Sequence, residues 1–298
     1  MDLSDCAACP RACHVNRIAG EKGFCRVSGT EVLLARAALH FYEEPCISGT
    51  RGSGAVFFSG CNLHCIYCQN EPIRSAKIGR AVSVSRLAEI FLELQEKGAH
   101  NINLVTPSHY PGQILEALMK AKSEGLAIPV VYNCSGYEGP EALRSLQDAV
   151  DIYLTDFKYM EEDLAAAFSF AKDYPERAKE ALAEMVRQQP GCIFDETGLL
   201  KKGVIVRVLL LPGHVKNSQA VVRYVYQTYG ERVYFSLMNQ YTPMRTFEQY
   251  PELNRKVTKR EYEKLIRTAL DLNIENAFIQ EGKTQEQSFI PDFDYEGV

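Results

Sequence analysis

Three cysteines crowd into the eight residues Cys61-Asn62-Leu63-His64-Cys65-Ile66-Tyr67-Cys68. Three thiolates at this spacing can wrap one iron–sulfur cubane from a single loop, and three ligands for four irons leave one iron open. An open iron suits a cluster that binds a substrate or cofactor instead of only passing electrons. Zinc is the first alternative. A structural zinc wants four ligands, and His64 is at hand as the fourth. His64 abuts Cys65, however, which is poor geometry for chelating the same ion. Three plain core cysteines are the remaining alternative, and their density argues against it.

A second group reads Cys6-x2-Cys9-x3-Cys13-x11-Cys25. Four thiolates are enough for one tetrahedral zinc or one fully ligated cluster. Gly20 and Gly23 let the chain turn back towards the first three, and His14 is a spare ligand. A zinc would be a structural staple; a cluster would suggest an electron relay. Cys46, Cys134 and Cys192 stand alone. Cys46 follows Glu43-Glu44-Pro45, and Cys46 or Glu44 is a candidate for handling substrate radicals or protons. A packing cysteine beside surface acids is the plainer alternative there. Cys134 and Cys192 read as structural.

These residues need elements to position them. The 298 residues suit one large domain or two small ones. With 46% apolar and 24% charged residues the chain is globular, which excludes disorder or a fibre as its main state. The net charge of −5 gives no electrostatic case for nucleic acid or anionic membrane. No apolar run reaches the ~18 residues of a bilayer span, and the N-terminus lacks the pattern of a secretory signal. The expectation is a cytoplasmic protein, where ten cysteines are metal ligands in part rather than disulfides.

Residues 1–50 read as a loop-rich, Cys-rich metal-binding extension, too small to bury a core unaided. Only Val32–Tyr42 looks regular there. Residues 51–298 read as the core domain. Apolar and β-branched runs at Ala55–Ser59, Ile102–Thr106, Ile128–Asn133, Ile152–Asp156, Val204–Leu211 and Val233–Leu237 predict strands, and Ala277–Gln280 predicts an edge strand. Helical spacing lies between them, as in Leu87, Ile90, Phe91 and Leu94. Two helices are expected in the long gap at about 160–202. Six βα units predict an α/β fold with parallel strands, either an open doubly wound sheet or a part-barrel. In both layouts ligands sit at the C-terminal strand ends. The informative polar residues fall there: Cys61, Thr106 to His109, Asn133, Asp156 with Lys158, and Pro212 to His214.

Cys-x3-Cys-x-aromatic-Cys, directly after a first strand ending in Ser59-Gly60, resembles the radical S-adenosylmethionine (SAM) superfamily. The resemblance implies a partial (β/α)6 barrel, a [4Fe-4S] cluster on Cys61, Cys65 and Cys68, and SAM chelating the open iron. It implies reductive cleavage of SAM to a 5′-deoxyadenosyl radical that abstracts hydrogen from a substrate. The nearest branch resembles the pyruvate formate-lyase activating enzymes and their relatives. The segments Cys-Pro-Arg-Ala-Cys, His40 to Cys46, Asn101 to Pro107, Asp156-Phe157-Lys158 and Leu237 to Tyr241 carry that likeness.

For single residues the resemblance implies Tyr67 beside the adenine, Asp156 and Lys158 near the methionine part, and Arg207 on the SAM carboxylate. Arg207 lies in an apolar strand, so its charge must be paired. Thr106 and Ser108 stand where activating enzymes have a Gly-Gly-Glu turn that meets the SAM amine. Asn133 stands near an acidic or polar position of those enzymes. His109 is a candidate to face substrate as acid, base or orienter. The implied partners are SAM, a reductant such as flavodoxin or ferredoxin, and a protein whose glycine is the hydrogen donor. Two alternatives stand beside this oxidoreductase: a radical SAM enzyme for a small molecule or another peptide, and a non-catalytic iron–sulfur electron-transfer protein.

Overall fold

The computed structural model describes residues 2–280 and 291–298. Among these residues ten strands occur in chain order: β1 (Val32–His40), β2 (Ser53–Phe58), β3 (Arg80–Val82), β4 (Ile102–Val105), β5 (Val130–Cys134), β6 (Ile152–Asp156), β7 (Ile193–Phe194), β8 (Leu200–Leu209), β9 (Tyr234–Met238) and β10 (Ala277–Ile279). They hydrogen-bond in the order β10-β9-β8-β6-β5-β4-β2-β1-β3, with β7 antiparallel to β8. Every neighbouring pair from β2 to β10 in that order is parallel. Strand order follows chain order with no switch point. This decides between the two layouts: the sheet curls as a part-barrel, and a doubly wound sheet is excluded.

β2, β4 and β5 are buried throughout, as parallel strands covered on both faces must be. The covering helices are α1 (Pro45–Ser48), α2 (Glu71–Arg74), α3 (Val84–Glu96), α4 (Pro111–Ser123), α5 (Pro140–Ser145), α6 (Glu162–Ser169), α7 (Tyr174–Gln188), α8 (Val215–Tyr229) and α9 (Lys259–Asp271). α3 shows why such segments are helices. Ser83 caps it by accepting from the Arg86 N–H at 3.1 Å, and Leu87, Ile90, Phe91 and Leu94 form its buried stripe. The long gap holds α6 and α7. α6 stops at Ser169 because Phe170 turns into the left-handed region.

Residues 32–40, grouped above with the N-terminal extension, form β1 and pair antiparallel with β2 from Leu34 to His40. β8 begins at Leu200, earlier than its apolar run suggested, because β7 pairs with its polar start. Among the described residues no helix is long and apolar enough to cross a membrane.

Candidate active site at the strand ends

Cys61, Cys65 and Cys68 line one cavity of about 240 Å³ at the C-terminal ends of the parallel strands. The chain leaves β2 through Gly60, whose φ of +94° suits glycine; a Cβ there would lie 2.7 Å from the Cys25 carbonyl oxygen. The Leu63 N–H points at Cys61 Sγ at 3.4 Å, and Ser169 Oγ donates to Cys65 Sγ at 3.0 Å. Arg74 donates to the carbonyls of His64 and Cys65 and braces the loop from below. Burial pushes the Cys61 thiol up to about 11 and the Cys68 thiol to about 12, with the neighbouring cysteines adding to it. Such thiols become thiolates only beside a positive centre. Three sulfurs facing one cavity, with N–H and O–H donors on two of them, fit the ligand set of an iron–sulfur group.

The zinc alternative loses its fourth ligand. His64 does not line the cavity; it turns away and meets the Phe24 ring edge-on at 5.0 Å. Burial holds it down to about 4, so it is neutral.

The same cavity is lined by a buried charged cluster. Asp156 ends β6, and its Oδ2 is 2.5 Å from Lys158 Nζ. Arg207 of β8 spends its guanidinium on three partners: Nε to Asp156 Oδ1 at 2.8 Å, Nη1 to Glu43 Oε2 at 3.2 Å, and Nη2 to Asn133 Oδ1 at 2.6 Å. Glu43 Oε1 accepts from Asn103 at 3.0 Å and Asn133 at 3.1 Å. Burial works against the Asp156 carboxylate, but Arg207 and Lys158 outweigh it and hold its pKa below the usual 3.8. Burial likewise opposes the Lys158 charge, while Asp156 and Cys65 raise its pKa above 10.5. That ammonium therefore feels the sulfur side as well as the carboxylate. Glu43 and Asn103 escaped the sequence reading; the available signal was the acidic pair before Pro45 and an asparagine inside an apolar strand.

Thr106 also lines the cavity, at a φ of +62°, rare for a β-branched residue. Its N–H donates to the Asn133 carbonyl at 2.9 Å, which holds the turn. Tyr67 lines the wall and bonds through its hydroxyl to Tyr159 at 2.7 Å. Three expected residues lie elsewhere. Ser108 is buried and donates to Glu138 at 2.6 Å. His109 is buried behind β2, with Nε2 2.8 Å from the Ser59 carbonyl; burial pushes it down to about 3, so it neither faces the cavity nor carries a charge. Cys46 packs with Ile47 and Val131 on another face.

The N-terminal cysteines gather against the back of the same loop. Arg11 ties them there, donating from Nε to the Asn62 carbonyl at 2.8 Å and from Nη2 to that of Ser169 at 3.2 Å. Phe24 N–H points at Cys13 Sγ at 3.3 Å. Burial raises Cys9 to about 12, and Cys25 and Cys13 contribute to the rise. Among the described residues neither these cysteines nor Cys61, Cys65 and Cys68 are drawn together around a single metal ion; what the Cys61–Cys68 loop supplies is the donor set, three cysteines lining one cavity.

Residues 55–214, more than half of the chain, match the Radical SAM superfamily, and the chain belongs to it. The family implies a [4Fe-4S] cluster and SAM. An uncharacterized protein of Methanocaldococcus jannaschii is 28% identical over 281 residues, which is 92% of this chain and 76% of that protein. Among solved structures, Streptococcus suis SuiB bound to S-adenosylmethionine superposes with a TM-score of 0.52 at 12% identity, over 75% of this chain and 49% of that one. A radical SAM methyltransferase from Sphaerobacter thermophilus gives 0.50 at 16% identity, over 78% and 67%. This chain thus spans about half the length of SuiB. These distant likenesses show a shared fold.

Proposed function

We propose that this chain is a radical SAM enzyme that cleaves SAM reductively and uses the resulting radical to take hydrogen from a substrate. The observation that carries this is one cavity lined both by the three cysteines and by the Asp156, Lys158 and Arg207 cluster. Cys61, Cys65 and Cys68 would hold a [4Fe-4S] cluster, which when bound and reduced would supply the electron for cleavage of SAM to methionine and a 5′-deoxyadenosyl radical. Asp156, Lys158 and Arg207 hold the charged amino acid end of SAM, with Asn133 orienting Arg207. Thr106 presents backbone and hydroxyl to the same end, and Tyr67 walls the adenine side. The aromatic groups around Tyr67 keep water from the reacting centre.

The sequence likeness to pyruvate formate-lyase activating enzymes supports a glycine of a protein partner as hydrogen donor and a flavodoxin or ferredoxin as reductant, in the cytoplasm. The expected boundary at residue 50 then moves back to the start of β1, which belongs to the core sheet, and the extension is the Cys-rich segment before Val32. The extension is read as a second metal site, zinc or iron–sulfur, on Cys6, Cys9, Cys13 and Cys25. Its support is Arg17, which is buried with Nε and Nη2 unpartnered and lowers the pKa of Cys25 against the larger effect of burial. A thiolate-rich metal site would give that cation its counter-charge.

The decisive experiment is anaerobic reconstitution with iron and sulfide, followed by an assay for 5′-deoxyadenosine with dithionite and SAM. Formation well above that of a C61A/C65A/C68A variant is expected; equal rates sink the proposal.

A further inference from the structure

Two neighbouring helices carry a surface patch whose sign opposes that of the whole chain, which stands at −5. Gln219 joins α8 to α9, donating to the Lys264 carbonyl at 3.3 Å and to Thr268 Oγ1 at 2.9 Å. By helical spacing Lys216 and Arg223 share the Gln219 face of α8, and Arg260, Lys264 and Arg267 run along the adjoining face of α9. All five are exposed, and none has an ion-pair partner among the described residues. The nearby acids do not cancel them. Glu263 lies on the side of α9 turned from α8, 3.7 Å from Lys259. Glu261 is taken by Thr258, Gly213 and Arg255. Asp271 sits at the other end of α9.

Local stability does not explain these charges. Lys216 lies in the first turn of α8, and Lys259 and Arg260 in that of α9, where the positive end of the helix dipole disfavours cations. Their position gives them a use. Both first turns lie on the strand-end side of the barrel, where Gly213 in the loop after β8 donates to Glu261 of α9 at 2.8 Å. From there the cysteine loop is two rings away. His214, just before α8, meets Phe168 edge-on at 5.2 Å, and Phe168 meets Tyr67 at 6.2 Å. The Phe168 carbonyl also accepts from the Ile66 N–H at 2.9 Å, inside that loop. We propose that the α8–α9 face docks the electron donor, a one-electron carrier protein with an acidic surface. The proposal rests on the SAM-cleaving function above, which needs an electron from outside the chain, and it names where the donor sits. One electron leaves the donor's reduced flavin or iron–sulfur centre, which is oxidised, and reduces the cluster that Cys61, Cys65 and Cys68 would hold. No bond forms and no proton moves. Opposite charges steer such an encounter and fix its orientation without a large apolar interface.

The test uses the reconstituted enzyme with SAM and two carrier proteins as probes: an acidic FMN flavodoxin, and cytochrome c, which is basic. Calorimetric titration reads binding with both probes oxidised. Saturable binding of flavodoxin and none of cytochrome c is expected, with the flavodoxin affinity falling steeply as salt rises from about 50 to about 300 mM. K216E/R260E/K264E should weaken flavodoxin binding about tenfold or more, and raise the KM for reduced flavodoxin in 5′-deoxyadenosine formation to match. The rate with dithionite, which needs no docking, should stay unchanged. No saturable flavodoxin binding to wild type, binding indifferent to salt, or a variant that binds like wild type overturns the proposal. So does a variant that loses the dithionite-driven rate, since the face would then serve the catalytic site itself. Tighter binding of a short single-stranded RNA than of flavodoxin also overturns it and assigns the patch to nucleic acid. If the triple variant does not fold, R223E/R267E on the same face replaces it. Wild-type 5′-deoxyadenosine formation with dithionite tests the function separately, and flavodoxin binding reads the patch whatever that assay returns.

Discussion

Ser169 has a single proton to give, and its 3.0 Å contact to Cys65 Sγ takes it. Tyr159 must then donate to Ser169 Oγ at 2.7 Å, and Tyr67 to Tyr159 at 2.7 Å. The hydroxyls thus form a directed chain from Tyr67 on the cavity wall to the Cys65 sulfur. A hydrogen bond to a ligating sulfur stabilises the reduced cluster. Ser169→Ala is expected to move the midpoint potential to a more negative value, seen in an anaerobic redox titration followed by electron paramagnetic resonance; an unchanged potential refutes the link. Arg207 is the other residue on which much depends. Removing it leaves Asp156 and Glu43 buried with fewer counter-charges, and breaking a buried pair in this way costs about 3–5 kcal/mol. The pH sign follows from Asp156. Its folded pKa lies below 3.8, so its pairing stabilises the fold above that value and is lost as pH falls through the folded pKa. Arg207→Ala should therefore be much less stable than wild type in urea melts at pH 7, with the gap narrowing only below pH 3.8. A gap that widens on acidification would contradict the pairing.

At the scale of elements, the loop after β5 is tied down by one carboxyl. Glu138 accepts from Ser108 at 2.6 Å and from Tyr132 of β5 at 3.1 Å, joining the ends of β4 and β5. Burial pushes its pKa from 4.5 up to about 7 against these hydrogen bonds. Below pH 4.5 folded and unfolded states both hold the proton. Between 4.5 and 7 the unfolded chain releases it and the folded one keeps it, so stability falls as pH rises, by about 3 kcal/mol in all. Glu138→Gln should remove that slope in denaturant melts taken between pH 5 and 7.5; an unaltered slope argues that another group titrates. Elements of this kind divide by what a local pattern can carry. β6 was legible residue for residue, because a buried parallel strand is an unbroken apolar run ending in polar groups. The start of β8 was not, since Lys201 and Lys202 interrupt the apolar run that marks a strand, although β7 pairs with it from only a few residues upstream. Arg207 was recognisable as a charge needing a partner, but nothing near it says that Glu43, 164 positions away, supplies one. The side-chain directions of Ser108 and His109 were equally hidden, because the turn begun by Thr106 at positive φ sets them.

At the scale of the whole molecule, an open barrel has two edges to protect, and the chain's last residues protect one of them. β3 pairs with β1 only from Val32 to Leu34. Beyond that point the tail takes over: the Tyr295 N–H donates to the Ala35 carbonyl at 3.0 Å, and the Ala37 N–H to the Glu296 carbonyl at 2.8 Å. Arg36 reaches across to Asp294 at 2.7 Å and also to Glu296. Phe293 packs edge-on against Phe57 of β2 at 5.6 Å, and Pro291 completes the wall of the strand-end cavity. Edge and site are therefore covered by one segment. Deleting residues 291–298 removes two backbone hydrogen bonds at ~1 kcal/mol each and part of one aromatic burial at ~1–2 kcal/mol. The surface ion pairs add little. A loss of about 3 kcal/mol corresponds to a melting temperature lower by roughly 5 °C for a chain of this size. The bare β1 edge should also make the truncated enzyme self-associate with rising concentration. SAM affinity should fall several-fold with circular dichroism nearly unchanged, because the deletion takes a wall from the cavity and no strand from the sheet. Calorimetry, sedimentation velocity and SAM titration read the three effects. A truncated enzyme that melts and binds SAM like the full chain would show that the barrel closes its site without its tail.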